Sequence, residues 1–207
     1  MAAGGVLVTG FAPFGEMDVN PSGLLAQRLN DEQGVIGAVL PVSYAAAGDA
    51  FSELVERHRP AAALCFGVAA SSDYLLIERI AWNRDESPAA DNDGVIRENQ
   101  EIIPGGPTAY GCSLPIPELM RVLALAGLPV TFSDHAGGFV CNNLFYRAQH
   151  YIDAKGLYLP MAFIHVPPLP EQVAGQPGRR GLPLASLEMG VRDVLGWLRR
   201  GLGVAVV

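Results

Sequence analysis

Val6-Leu7-Val8-Thr9-Gly10-Phe11-Ala12-Pro13-Phe14-Gly15, followed closely by Asn20-Pro21, is the stretch from which the fold is read. Val6–Thr9 is short, apolar and β-branched and stops at a glycine, which reads as a buried strand. Asn20-Pro21 reads as a helix start, with the amide at the N-cap and proline in the first helical position. The strand–loop–helix pattern then repeats outward. Val35–Val42 is a second strand, and Phe51, Leu54, Val55 and His58 share one face of the next helix. Ala61–Phe66 is a strand stopped by Gly67, and Tyr74–Trp82 is one extended run carrying an isolated acid, Glu78. Residues 83–113 form a long polar excursion, with Asn92-Asp93-Gly94 as a hairpin turn. So long an excursion is expected over a site or in a subunit contact. Pro117–Ala126 then reads as helix, Val130–Phe132 as strand, a helix begins near Cys141, and Ala162–His165 is the next strand. The last helix, Leu184–Arg200, aligns Leu184, Leu187, Val191, Leu195 and Leu198. Strand alternating with helix predicts an α/β fold. Its sheet is mainly parallel and twisted, with helices on both faces, and residues 1–207 make a single domain.

Composition narrows the function classes. Half of the 207 residues are apolar and 17% are charged, against about 25% charged in an average globular chain. A compact chain that hides surface in a homo-oligomer is expected. Fourteen Lys+Arg against 21 Asp+Glu give a net charge of −7, which argues against a nucleic-acid or anionic-membrane surface. Lys155 is the single lysine, which weighs against a Walker-type phosphate loop and a pyridoxal Schiff base. Cys65, Cys112 and Cys141 lack the spacing of a zinc knuckle or a redox pair, so no disulfide framework is expected. No basic leader precedes the first strand, and no apolar run reaches the roughly 18 residues of a membrane span. The expectation is a reduced, cytoplasmic protein.

Parallel sheets bind ligands outside the carboxyl ends of their strands. The segment near Cys141 follows the Val130 strand. A right-handed crossover is expected to return Ala162–His165 to the same edge, beside the Gly10–Gly15 and Gly67–Ser72 loops. Cys141 and His165 should therefore meet. At a helix start, exposed N–H groups favour a thiolate, and a nearby histidine favours it further and can protonate a leaving amine. The alternative is a packed thiol beside a satisfied histidine, and topology does not separate the two. Glu78 needs a partner wherever it is buried: Arg79, Arg84, or a histidine that it orients. Cys65 reads as a packing residue, Cys112 as a thiol without an acid–base partner, and His58 as a solvated helix end. His135 and His150 read as surface or loop hydrogen-bonding groups, and Arg179-Arg180 and Arg199-Arg200 as solvated pairs. No HExxH, GxSxG or GxGxxG motif is present.

Four motifs spread along the chain resemble pyroglutamyl peptidase type I, a cysteine peptidase family. They are Val8–Gly15 with Val19-Asn20-Pro21-Ser22, then Glu78-Arg79-Ile80-Ala81, Ala136-Gly137-Gly138-Phe139-Val140-Cys141-Asn142, and Phe163-Ile164-His165-Val166-Pro167. Asp91-Asn92-Asp93-Gly94 and Gly106-Pro107-Thr108-Ala109-Tyr110 add to them. The resemblance implies a triad of Cys141, His165 and Glu78. It implies removal of N-terminal pyroglutamate from peptides without metal or cofactor, by a cytoplasmic homotetramer. It places Phe11, Phe14 and Phe139 as aromatic walls of the substrate pocket, with Asn20, Val68 and Val140 beside them. Two departures stand out. Gly67-Val68-Ala69-Ala70 replaces the Gly-Gln-Ala-Gly of many bacterial members, and Ser87-Pro88-Ala89-Ala90 replaces an arginine-bearing Ala-Arg-Ile-Pro. Arg84 is the candidate stand-in for that arginine. A nucleoside phosphorylase or hydrolase on a similar fold, and a silent binding module, are the competing readings.

Overall fold

The computed structural model describes residues 4–202. Its strands are β1 (Gly4–Phe11), β2 (Val35–Leu40), β3 (Pro60–Val68), β4 (Leu75–Glu78) and β5 (Ile80–Trp82), then β6 (Asp85–Ser87), β7 (Arg97–Gln100), β8 (Ala109–Gly111), β9 (Val130–Ser133) and β10 (Met161–Val166). Its α-helices are α1 (Pro21–Leu29), α2 (Ala46–His58), α3 (Ile116–Leu125), α4 (Val140–Ala154) and α5 (Leu184–Leu202). The central sheet has the order β2-β1-β3-β10-β4-β9. β2, β1, β3 and β10 are mutually parallel, so the sheet is mainly parallel, as the alternation predicts.

Period-two alternation sorts the strand residues between two cores. Val6, Val8, Leu64, Phe66, Ile77 and Ile164 pack with Leu25 of α1, Leu119 of α3 and the α5 stripe. Leu7, Ala63, Cys65, Met161 and Phe163 pack on the opposite face with Phe51 of α2 and Leu144, Phe145 and Ala148 of α4. Leu187, Val191, Leu195 and Leu198 of the expected final stripe are buried, and Leu184 packs at its margin. Among the described residues no helix is long and apolar enough to cross a membrane.

Two expectations are corrected. The Val130 strand was expected to feed a parallel crossover into β10. In fact β4 is antiparallel to β10 and parallel to β9, so β9 runs opposite to β10. Cys141 therefore reaches the carboxyl end of β10 through the 134–139 segment and not by a strand-to-strand crossover. The Tyr74–Trp82 run is also two strands. Arg79 is the pivot: its N–H goes to Ser133 O in β9's line and its carbonyl to Cys112 N, just past β8. Beyond it, β5 leaves the main sheet and pairs antiparallel with β8. The 83–113 excursion contributes no residue to the lining of the cavity described below. Asn92 donates from its backbone to Val42 O and from its side chain to Pro13 O, bracing the loop that follows β1. The turn at Asn92-Asp93-Gly94 lies between antiparallel β6 and β7, and the Asp91 carboxylate closes it by accepting from Asp93 N and Val95 N.

One carboxyl group inside this excursion sits badly. Asp85 is 1% exposed; its Oδ2 accepts from Asn143 Nδ2 at 2.7 Å, and its Oδ1 has no partner. Burial pushes the carboxyl up to about 6, against the opposing effects of that hydrogen bond and of Arg97 and Arg147. An unfolded aspartate ionises near 3.9, so between about pH 4 and 6 the folded chain holds a proton the unfolded chain has lost. Stability from this group is thus fully present at low pH and lost as pH rises through 6, by about 3 kcal/mol. Asp85→Asn is nearly isosteric and cannot ionise. It should raise the Tm measured near neutral pH, with the gain shrinking as pH falls toward about 4. A gain independent of pH, or a loss at every pH, would show that Asp85 is not destabilised by its charge.

Candidate active site

Strand parity places the acid and the imidazole. Glu78 lies directly opposite Phe163 across the β4–β10 pair, and His165 lies opposite Leu76. Glu78 and His165 are therefore diagonal neighbours on one face of the sheet. Glu78 is 0% exposed and His165 is 7% exposed, and His165 Nδ1 lies 2.7 Å from Glu78 Oε1. With Nδ1 committed to Glu78, Nε2 is the nitrogen left for Cys141. Phe163 packs against the imidazole edge-on at 5.2 Å between ring centroids.

α4 brings the thiol to this face. Cys141 is its second residue, in the turn whose N–H groups have no partner within the helix. Two amides clamp that turn. Asn142 accepts from Trp82 N and donates to Trp82 O and Arg84 O, and Asn143 donates to Asp85. Gly67, at the end of β3, permits the close approach: a Cβ there would lie 2.8 Å from Cys141 Sγ and 3.1 Å from His165 Cδ2. Gly138 works alike, since a Cβ would lie 2.0 Å from Glu86 O while the Gly138 carbonyl accepts from Glu86 N. Burial alone would lower the His165 imidazole. The charge of and hydrogen bond to Cys141, with those of Glu78, outweigh it and raise the imidazole to about 10. Cys65 and Cys112 differ from Cys141 in kind. Burial pushes their thiols up to about 12 and about 11, and neither lines the cavity.

A cavity of about 330 Å³ opens at Cys141 and His165, a size typical of small-molecule sites. Phe11, Phe14, Asn20, Val68, Phe139, Val140 and Glu78 all line it. The cavity thus brings these residues together with Cys141 and His165, but not Arg84. Phe139 contacts Phe14 at 5.8 Å and takes the Tyr44 ring edge-on at 5.5 Å. Asn20 caps α1 as expected, accepting from Ser22 N and Ser22 Oγ. Its Nδ2 donates one hydrogen to Ala12 O and keeps another. Ser22 Oγ in turn accepts from Phe11 N, fixing that ring's backbone. Arg84 does not replace the missing arginine. It pairs with Glu86 at 3.4 Å on the surface, away from the cavity. Glu78 pairs with His165, while Arg79 pairs with Asp134. The sequence reading gave no role to the Asn142–Asn143 clamp, although adjacent amides inside a helix call for partners. His135 is an exposed loop residue with loop hydrogen bonds, as expected, and it lines the cavity as well.

The comparisons agree with this geometry. A family model described as pyroglutamyl peptidase matches residues 5–197. The pyrrolidone-carboxylate peptidase of Gloeobacter violaceus is 38% identical over 198 residues, covering 94% of this chain and 96% of that protein. The crystal structure of pyroglutamyl peptidase I from Bacillus amyloliquefaciens superposes with a TM-score of 0.89 at 31% identity, covering 94% of each chain. That of pyrrolidone carboxyl peptidase from Pyrococcus furiosus superposes with a TM-score of 0.89 at 33% identity, covering 95% of this chain and 99% of the other. With every residue of the cavity lining inside the matched residues, the chain belongs to the pyroglutamyl peptidase family.

Proposed function

We propose that the chain is a cysteine exopeptidase that hydrolyses the amide bond after an N-terminal pyroglutamyl (5-oxoprolyl) group. The observation that carries this reading is the buried 2.7 Å contact between Glu78 and His165, set against the thiol of Cys141 at the wall of an aromatic cavity. In the proposed reaction the Cys141 thiolate attacks the exocyclic carbonyl carbon beyond the lactam ring. N–H groups of the first turn of α4 receive the developing oxyanion, a contribution worth about 10²–10³ in rate elsewhere. His165 gives its proton to the departing amine as the C–N bond breaks, leaving a thioester on Cys141. It then takes a proton from water, whose oxygen displaces the thiolate and releases pyroglutamate. Glu78 orients the imidazole through Nδ1 and favours its protonated form.

The lactam is flat and uncharged, with one N–H and one carbonyl. Phe11, Phe14 and Phe139 suit its faces, the spare Asn20 hydrogen suits the carbonyl, and Val68 and Val140 close the apolar remainder. We read residues 1–207 as one domain, working in the cytoplasm, where a catalytic thiol stays reduced. The three cysteines, all unpaired, fit that compartment. The partners are peptides with N-terminal pyroglutamate, with neither nucleic acid nor membrane. We read the chain as a homo-oligomer, a tetramer by family, from its low share of charged residues, 17%.

Release of pyroglutamate from a pyroglutamyl amide tests the reading. Wild type should turn over and Cys141→Ser should not, since a serine hydroxyl stays protonated at neutral pH. A prolyl amide with the same leaving group should lose about 10⁴ in kcat/KM, because its charged amine and missing carbonyl leave the site unpaired. A discrimination below about 10² would mean that the lactam is not read by polar contacts. Glu78→Gln removes one of the influences that raise His165. The protonated imidazole is lost as pH rises through its native value, so the basic limb of the kcat profile should move to lower pH. Turnover should fall by about 10² or more with KM little changed. An unshifted limb at normal kcat would reduce Glu78 to a structural role. Light scattering should give a mass several times that of one chain, and a monomer mass at all working concentrations would contradict assembly.

A further inference from the structure

The cavity lining grades from buried residues at its deep end to exposed ones at its mouth. Phe11, Asn20, Glu78 and Val140 are buried, whereas Ser71, His135 and Gly137 are exposed. A peptide chain beyond the scissile bond cannot be held inside about 330 Å³ and must leave through that mouth. What it meets there is set by a fixed imidazole. The Gly137 N–H donates to His135 Nδ1 at 2.9 Å, so the neutral ring carries its proton on Nε2. The backbone beneath is held as well, with the Ser133 hydroxyl accepting from His135 N and donating to His135 O. Nothing among the described residues accepts the Nε2 proton. The mouth thus presents one oriented imidazole donor beside Ser71 and Gly137.

We propose that His135 reads the leaving side of the substrate, its Nε2–H donating to the first backbone carbonyl beyond the scissile amide. The inference rests on the peptidase reading above and extends it to the residue that follows pyroglutamate. It makes the enzyme selective for peptides over leaving groups without a carbonyl at that place. His135 is a specificity determinant here and takes no part in bond making or breaking.

Two substrates with one readout test this, with released pyroglutamate measured in each case. Pyroglutamyl-alanine amide has the carbonyl, and pyroglutamyl 4-nitroanilide lacks it. His135→Ala should lower kcat/KM on the alanine amide by about 3–10-fold, the worth of one net hydrogen bond, and leave the anilide within about twofold. His135→Gln, which keeps an N–H donor, should recover part of the loss on the alanine amide alone. Equal losses on both substrates would mean that His135 supports the loop or the acyl side. No loss on either would mean that it reads nothing. Each of those results overturns the proposal while the peptidase reading stands. A wild-type chain that releases pyroglutamate from neither substrate overturns both.

Discussion

The buried contact between Glu78 and His165 governs much of the architecture around it. Stripping water from a carboxylate costs far more than one neutral hydrogen bond returns, so the pair persists only where charge and geometry are held together. Holding them together needs two strands in one sheet at a set register, because a slip of one residue would turn either side chain to the opposite face. The Phe163–Glu78 and His165–Leu76 pairings supply that register. The apolar layers on both faces then serve the site as much as the fold, since they keep β4 against β10.

The thiol is placed by a different means. Backbone pairing does not fix Cys141, and its position comes from a helix start nailed down by side-chain amides. The cradle is completed by absences of side chain at Gly67 and Gly138, where no Cβ would fit. The Glu78–His165 pair is thus a property of the sheet and the proposed nucleophile a property of a loop–helix junction. Small shifts of α4 would change the distance between them without disturbing the core.

Much of this was legible in the sequence. The βα alternation and the Asn20 cap follow from patterns that span only a few residues each, whereas Cys141 and His165 meet by a route other than the crossover expected for them. The reversal of β4 and β9 was not legible, because a four-residue apolar strand carries no mark of the direction of its neighbour. The break at Arg79 was hidden inside a continuous run of strand-forming residues, and its cause is pairing with residues some 30 positions further on. The partners of Asn142 are backbone atoms 60 positions away. His135 satisfied the plainer reading through its bond to Gly137, and only the assembled cavity shows its second exposure.

The position of β10 has a consequence for how the molecule comes into being. It is the last strand among the described residues, yet it lies in the interior of the sheet, between β3 and β4. Until it is synthesised, β2-β1-β3 and β4-β9 have no strand to join them. Closing the sheet and delivering His165 beside Glu78 are therefore a single event, late in biosynthesis and dependent on contacts of long sequence separation. A nascent chain that already carries Cys141 has as yet no imidazole beside Glu78, so the Glu78–His165 pair exists only once β10 has been made.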